Sequence, residues 1–370
     1  MNIYKKQKKR RVQKKKLAFL IIVTASVIVF TIGLFMILTK GRELSDTMIK
    51  MPFTSDMEYF GMGQNIVYSE QEYLTCIDSS AGIVWKLGLF SSGLEFTSND
   101  DLIIANSDSV IQVVNAQGQH RFSRKLEDSE IISTRAGKNN VALYVRQEQK
   151  EHFLTYILIF DLSGTELYRI EVTDRYILDY GFDADSSSLY LLELDVSGSV
   201  PISRISTYRP KTQSMTGIKE LKDQLVSGIH IIGENIYAIG TNRLTMYKTS
   251  LSSDDKSIMI YGWLLNDIYV LSNPSFVFIP AQNEGSIDIA RIIKGLGGEV
   301  SINLPPDVFD IIHGKDKIYC FANKNIFVYT VDGKYSRAYS FPYEIESVKR
   351  AFGNYVFITS NNDVYLLPLP

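Results

Sequence analysis

The residues best suited to chemistry lie in three short patterns, and each fits a turn better than a reactive site. Residues 253–256 (SDDK) match S-x-x-K, but that spacing brings serine and lysine together only where the serine opens a helix, and here it falls in a polar turn between two predicted strands. Residues 295–298 (GLGG) have the glycine content of a dinucleotide loop, which must also open a helix. A strand-like segment, residues 299–302, follows them instead. Residues 61–63 (GMG) fail the same test.

Metal binding is not indicated by the acidic, histidine or cysteine residues. Residues 183–185 (DAD) lack the further oxygen ligands and the closing Glu of a calcium loop, and the pairs at 100–101 and 254–255 are equally isolated. The four histidines are scattered: His120, His152, His230 and His313. Cys76 and Cys320 lie far apart and form no CxxC motif. A disulfide between them is possible outside the cytoplasm, but two small buried apolar residues are the favoured interpretation. We therefore expect no cofactor and no catalytic residue.

Charge is distributed unevenly along the 370 residues. Residues 1–16 carry nine Lys or Arg and no acid, so the rest of the chain has 30 basic against 41 acidic residues, a net charge of −11. The overall net charge of −2 describes neither part. A domain this acidic is expected to prefer neutral or basic partners and to avoid nucleic acid.

An apolar run at residues 17–39 predicts a transmembrane helix. It contains 23 residues without a charge, of which 15 are Leu, Ile, Val or Phe, and a helix of that length spans about 34 Å, enough to cross a bilayer core. A cleaved signal peptide is the alternative, but its apolar region is shorter and ends at small residues, whereas Lys40-Gly41-Arg42-Glu43 follows here.

The basic residues before this helix predict its orientation. The positive-inside rule places residues 1–16 in the cytoplasm and residues 47–370 on the far side of the cell membrane, after a linker at 40–46. The basic run could also be a nucleic-acid patch. Beside a membrane helix, however, orientation and attraction to anionic lipid explain it more simply.

The remainder of the chain repeats one pattern of short apolar runs separated by polar turns, which predicts an all-β fold. One short helix is possible at residues 218–226. The ends of the third run in each repeat are separated by 35 to 48 residues, with a mean of about 41, as expected for four-stranded propeller blades. These ends are Asp78, Asn115, Asp161, Arg209, Ser250, Ile293, Asp332 and Leu367.

The first repeat carries the most distinctive motif. Its third strand ends at Asp78, its turn contains Gly82, and Trp85 follows three residues later. This resembles the repeat of quinoprotein-like (PQQ-like) β-propellers, which implies a propeller fold across most of residues 47–370. The calcium and quinone sites of the dehydrogenases in that group have no assignable residues here. The layout is also similar to an uncharacterised bacterial family of membrane-anchored propellers, which implies no known activity.

The chain ends predict how the ring closes. Residues 363–370 fit the third strand of an eighth repeat, and residues 47–51 could supply its fourth strand. Pairing the first strand with the last removes an exposed sheet edge. We therefore predict eight blades, with seven as the alternative.

These features favour a non-enzymatic binding or scaffolding module outside the cell membrane, whose partner is a protein or a polymer of the cell envelope. An extracytoplasmic enzyme of the quinoprotein-like type is one alternative. A sensor that signals through its short cytoplasmic tail is another. A propeller's central channel gathers residues from every blade, so a site formed only in three dimensions has no sequence signature.

Overall fold

The computed structural model describes residues 42–44, 47–149, 152–221, 224–251, 256–270, 273–282 and 285–370. The predicted basic tail (1–16), the predicted membrane helix (17–39) and most of the predicted linker (40–46) lie outside these residues. Within the described ranges, no helix has the length and apolar character needed to cross a membrane.

The described chain forms eight four-stranded antiparallel sheets arranged as the blades of a β-propeller. Third strands in most blades are almost continuously apolar and buried, as in Leu74–Ile77 or Ile157–Phe160, because each sheet is covered on both faces by its neighbours. Fourth strands alternate exposed and half-buried positions, which suits the outer rim.

The strands of the first four blades follow one another in chain order. Blade 1 contains Tyr59–Met62, Asn65–Glu70, Tyr73–Ile77 and Ile83–Gly88. Blade 2 contains Glu95–Ser98, Leu102–Asn106, Val110–Asn115 and His120–Lys125. Blade 3 contains Ser129–Ala136, Asn140–Gln149, His152–Asp161 and Glu166–Val172. Blade 4 contains Tyr176–Phe182, Leu189–Asp195, Ile202–Arg209 and Ser214–Leu221.

The second half of the ring follows the same order until the last blade. Blade 5 contains Val226–Ile232, Asn235–Gly240, Arg243–Lys248 and Lys256–Met259. Blade 6 contains Trp263–Tyr269, Ser275–Pro280, Ile289–Lys294 and Gly298–Asn303. Blade 7 contains Val308–His313, Lys317–Ala322, Asn325–Thr330 and Tyr335–Ser340. Blade 8 contains Ser347–Arg350, Tyr355–Ser360, Asp363–Pro368 and, from the start of the chain, Ile49–Thr54.

The predicted ring closure is confirmed. Ile49–Thr54 pairs antiparallel with Asp363–Pro368, with Ile49 opposite Leu366 and Lys50 opposite Tyr365. Met51 and Phe53 from this strand are 3% and 2% exposed in a core shared with blade 1. The eight-blade prediction is therefore correct. In addition, Arg42–Glu43 pairs in parallel with the fourth strand of blade 7.

Each third strand ends within two residues of the position predicted from the repeat. The possible helix at residues 218–226 is wrong, because this segment spans the end of the strand Ser214–Leu221 and the start of Val226–Ile232. Strand pairing with Ile202–Arg209 supplies backbone hydrogen bonds that an isolated nine-residue helix would lack. The helical segment within the described residues is a single 3₁₀ turn, Pro210–Thr212.

Antiparallel pairing gives the propeller two distinct faces. Loops that join the second strand to the third, and loops that join one blade to the next, lie on what we call the upper face. Loops that join the first strand to the second, and the third to the fourth, lie on the lower face. First strands of neighbouring blades contact one another, so they surround the central channel.

Candidate functional site

The channel wall is shaped by a β-bulge at the same place in five consecutive first strands. In blades 3 to 7 one residue is left without a partner on the second strand: Ile132, Leu178, Ser227, Asn266 and Phe309. Bulges re-aim the side chains next to them. In three of these blades the residue after the bulge is aspartate: Asp179, Asp267 and Asp310.

A channel cavity of about 650 Å³ lies along the first strands of blades 3 to 6. Its polar lining includes Arg135, Asp179, His230, Asn266 and Asp267, and its apolar lining comes chiefly from isoleucine and leucine. This is the candidate site, because it gathers titratable groups in a concave space at the ring centre.

Asp179 links blades 3, 4 and 5 across the wall. Its Oδ2 accepts the backbone N–H of Ile229 in blade 5 at 3.0 Å. Its Oδ1 accepts the N–H of Tyr180 at 2.8 Å and lies 3.3 Å from Nη2 of Arg135 in blade 3. Through these bonds the carboxylate connects three neighbouring blades.

Asp267 makes the corresponding link between blades 6, 7 and 8. Its Oδ2 accepts the N–H of His313 at 2.7 Å and Nη2 of Arg350 at 2.6 Å. The same Arg350 nitrogen donates to the carbonyl of His313 at 2.9 Å. A charge-assisted network of this kind rigidifies the contact between these three blades.

Burial disfavours the charged form of two histidines at the channel, His313 and His230. Burial lowers the pKa of His313, whose Nδ1 lies 2.5 Å from the carbonyl oxygen of Gly314 and whose ring stacks on Tyr269 at 5.2 Å. Because a carbonyl oxygen only accepts, Nδ1 carries the proton. Burial also lowers the pKa of His230. Burial raises the pKa of Asp310, whose Oδ1 accepts the N–H of Ile311 at 2.7 Å.

The charged groups of the channel wall are paired with one another. Both channel arginines pair with carboxylates, and both paired carboxylates also accept backbone N–H groups. Among the described residues, no three His, Cys, Asp or Glu side chains are grouped closely enough to hold a metal ion. The geometry suits structural links between blades. The spacing of residues along the chain could not have revealed these pairs, because the partners come from separate blades.

The motif residues of blade 1 connect it to blade 2. Oδ1 of Asp78 accepts hydrogen bonds from the backbone N–H of Ser80 at 2.8 Å and of Gly82 at 2.9 Å, and these bonds together with the Ser80 hydroxyl lower the pKa of Asp78. Trp85 then donates its Nε1–H to the carbonyl oxygen of Ala116 in blade 2 at 3.0 Å. The three predicted motif residues therefore shape a turn and a blade contact, far from the channel.

Two of the remaining sequence patterns lie in or beside turns. Gly295 has φ of +55° in a tight turn where Gly297 N–H donates to Lys294. Asp183 and Asp185 accept N–H groups of their own lower-face loop. Residues 253–255 of the S-x-x-K pattern lie outside the described residues.

Both cysteines are free and buried, as the favoured interpretation predicted. Burial raises the pKa of the Cys76 thiol to about 11, and it also raises that of Cys320. Neither thiol is therefore activated as a nucleophile.

The upper face is the more apolar of the two faces. Of the twenty large apolar side chains that are exposed among the described residues, eleven lie in upper loops or in the adjoining strand ends. They are Tyr73, Phe90, Phe153, Tyr176, Val196, Val200, Leu225, Met259, Tyr261, Leu264 and Tyr343. Such a concentration on one face is typical of an interaction surface.

The fold and its ring of bulged first strands define a β-propeller of eight blades. Residues 55–364 match the model of a family of unknown function, DUF5711. Because this match covers most of the chain, the protein belongs to that family. None of the curated proteins compared matches the chain.

Solved structures with the same architecture come from proteins of very different sequence. BamB from Moraxella catarrhalis superposes with a TM-score of 0.56 at 9% identity, covering 87% of this chain and 98% of BamB. The C-terminal WD40 domain of Sif2 gives 0.60 at 10% identity, covering 88% and 99%. A quinohemoprotein alcohol dehydrogenase from Pseudomonas putida HK5 gives 0.50 at 8% identity, covering 86% and 75%. At these identities the likeness shows the fold alone.

Proposed function

We propose that this protein is a membrane-anchored, extracytoplasmic binding or scaffolding module that catalyses no reaction of its own. The observation that carries the binding role is the concentration of exposed apolar side chains on the upper face. A propeller presents such a surface on a rigid ring, and loops built on a rigid ring are suited to recognising another macromolecule.

The proposal of a non-enzymatic role draws on the channel wall. Asp179, Asp267, Arg135 and Arg350 are paired with one another or with backbone groups. A general acid or base must instead be free to reach a substrate proton. The nearby histidines have low pKa values because they are buried, and His313 is oriented by its own backbone.

The proposal of a membrane anchor draws on the sequence. Residues 17–39 are uncharged, and nine basic residues precede them. The acidic character of the rest of the chain suits an extracytoplasmic position, where it need not approach the anionic inner leaflet. The partner is proposed to be a protein or an envelope polymer.

The test is a crosslinking pulldown of the intact protein from its native membrane, with residues 1–46 alone as the control. Partners that require residues 47–370 are expected. Protease treatment of intact cells is expected to degrade the propeller and leave the cytoplasmic tail protected. Recovery of the same partners with residues 1–46 alone would contradict a binding role for the propeller. A turnover that Asp267→Asn abolishes without unfolding the protein would instead indicate an enzyme.

A further inference from the structure

The bulges of the channel wall align one structural position in five successive blades. Two residues before each bulge, in the first strand or immediately before it, blades 3 to 7 carry Glu130, Tyr176, Leu225, Leu264 and Asp307. Positions at the same sequence distance from the bulge lie at the same level along the axis of the channel. These five residues therefore lie in order along the upper mouth of the channel.

The three central residues of this series are apolar and exposed. Tyr176, Leu225 and Leu264 are 61%, 43% and 53% exposed. The residue that follows each of them is Ile177, Val226 or Leu265, and these side chains belong to the cores between blades. Each exposed residue thus lies just above the buried part of its first strand, at the open end of the channel. We call Tyr176, Leu225 and Leu264 the apolar arc.

Acidic groups lie at both ends of the apolar arc. Asp307 is exposed at the blade 7 end. At the blade 3 end, Glu130 lines a pocket of about 310 Å³ with Asp128, Glu148 and Arg146, so three carboxylates face one guanidinium. The long second and third strands of blade 3, Asn140–Gln149 and His152–Asp161, form a hairpin that reaches past the last paired residue of the fourth strand.

The upper face as a whole shares this acidic character. Its described loops, taken as the residues between strand ends, contain eleven Asp or Glu and two Lys or Arg. The described loops of the lower face contain eight Asp or Glu and four Lys or Arg. Two such faces would repel each other, and so would this face and an anionic lipid surface. Charge therefore disfavours a second copy or a membrane as the occupant, and favours a cationic partner.

We infer that the apolar arc binds a segment of a partner protein in which apolar side chains are flanked by Lys or Arg. The apolar residues would cover Tyr176, Leu225 and Leu264, and the cations would lie against the carboxylates at either end. This inference rests on the proposed binding function and specifies the surface and the chemistry of its partner.

The test measures peptide binding to the full-length protein in nanodiscs of zwitterionic lipid. The probes are three dodecapeptides of equal length: one with a Leu/Trp centre and Lys at both ends, one with the same centre and Glu at the ends, and one with a Ser centre and Lys at the ends. Fluorescence anisotropy reports the Kd. The test variant is Tyr176→Ser/Leu225→Ser/Leu264→Ser. The matched control is Ile83→Ser/Met215→Ser/Tyr335→Ser, which removes three side chains of similar exposure from outer strands.

The Lys-flanked apolar peptide is expected to bind at least tenfold more tightly than the other two, and more weakly as salt rises. The arc variant is expected to lose at least tenfold in affinity while the control variant keeps it. Equal binding of all three peptides, no binding, or equal loss in both variants would overturn the inference. So would dimerisation or vesicle binding that depends on the arc.

The native-membrane pulldown separates this inference from the function on which it rests. If partners that need the propeller are recovered equally with the arc variant, the binding module stands and the arc is not its surface. If no partner needs the propeller, the proposed function itself fails.

Discussion

Gly118 of blade 2 lies so close to Trp85 of blade 1 that a methyl group added to its Cα would come within 2.5 Å of Trp85 Cδ2. A related contact follows one blade further, where Gly164 of blade 3 lies against the ring of Phe122. A glycine in the turn between third and fourth strands thus admits an aromatic side chain from the preceding blade. The repeat motif consequently describes how blades stack.

We predict that Gly118→Ala destabilises the protein by about 2–4 kcal/mol, because it adds overpacking to the cost of a positive φ. Gly63→Ala is the matched control, since Gly63 also has positive φ but has no heavy atom within 4 Å of the added carbon. It should cost only about 1 kcal/mol. Urea unfolding measures both, and equal losses would contradict a steric role for Trp85.

Phe53 tests the contribution of the closing strand. It is 2% exposed and its ring centroid lies 4.9 Å from Tyr68 and 5.1 Å from Tyr59 of blade 1. Phe53→Ala should therefore cost about 3–5 kcal/mol. Phe90→Ala, in an exposed upper loop, should change stability by less than about 0.5 kcal/mol. A small effect of Phe53→Ala on the unfolding midpoint would show that ring closure contributes little.

Removing either of two carboxylates that lie 2.6 Å from a cation should lower the free energy of unfolding by very different amounts. Asp267 pairs with Arg350 at 18% side-chain exposure, whereas Asp332 pairs with Lys294 at 72%. Asp267→Ala should cost about 2–3 kcal/mol, because it leaves the His313 N–H without its acceptor and Arg350 without the carboxylate that balances its charge. Asp332→Ala should cost less than about 0.5 kcal/mol. Similar chemical-denaturation losses for the two variants would argue against the channel network.

Stability should fall as the pH is lowered from 7.5 to 5.5. Burial lowers the pKa of His313 in the folded state. The unfolded chain therefore binds a proton that the folded protein does not, and unfolding becomes easier below the ordinary histidine pKa of about 6.5. His313 faces Tyr269, Asp267 and Arg350. His313→Phe, which keeps the stacked ring, should show a smaller pH dependence of the thermal midpoint, with the remainder due in part to His230. If His313→Phe leaves the pH dependence of the thermal midpoint unchanged, His313 is not its source.

Asp310 should give stability a pH dependence opposite to that given by His313. Burial raises its pKa, so its charged form is disfavoured in the folded protein. The stability that this shift contributes is present below the unfolded pKa and is lost as pH rises through the folded pKa. Asp310→Asn, which keeps an oxygen to accept the Ile311 N–H, should thus raise the thermal midpoint at pH 7.5 and have less effect near pH 4. A lower midpoint at pH 7.5 would contradict the prediction.

Much of the fold could be predicted because its signals are local and repeated. Apolar runs with polar turns at a period near 41 residues specify strands, and the third-strand ends fall where the repeat places them. The incomplete last repeat indicated residues 47–51 as the source of the closing strand, because an unpaired edge is costly to leave exposed, and the strand observed there is Ile49–Thr54. The prediction of a helix at residues 218–226 failed because the local sequence there fits either a helix or a strand. Pairing with a neighbouring strand decides which of the two forms.

The sequence alone determined the class of fold, and it favoured eight blades, a ring closed by the start of the chain, and two buried cysteines. These features follow from periodicity and apolar content, which each segment carries by itself. Only the tertiary structure decided what the channel contains. Asp267 meets Arg350, and Asp179 meets Arg135 and Ile229, because the curvature of the ring brings separate first strands around one axis. Contacts between residues 44 to 83 positions apart depend on that geometry, and the spacing of residues along the chain does not encode it.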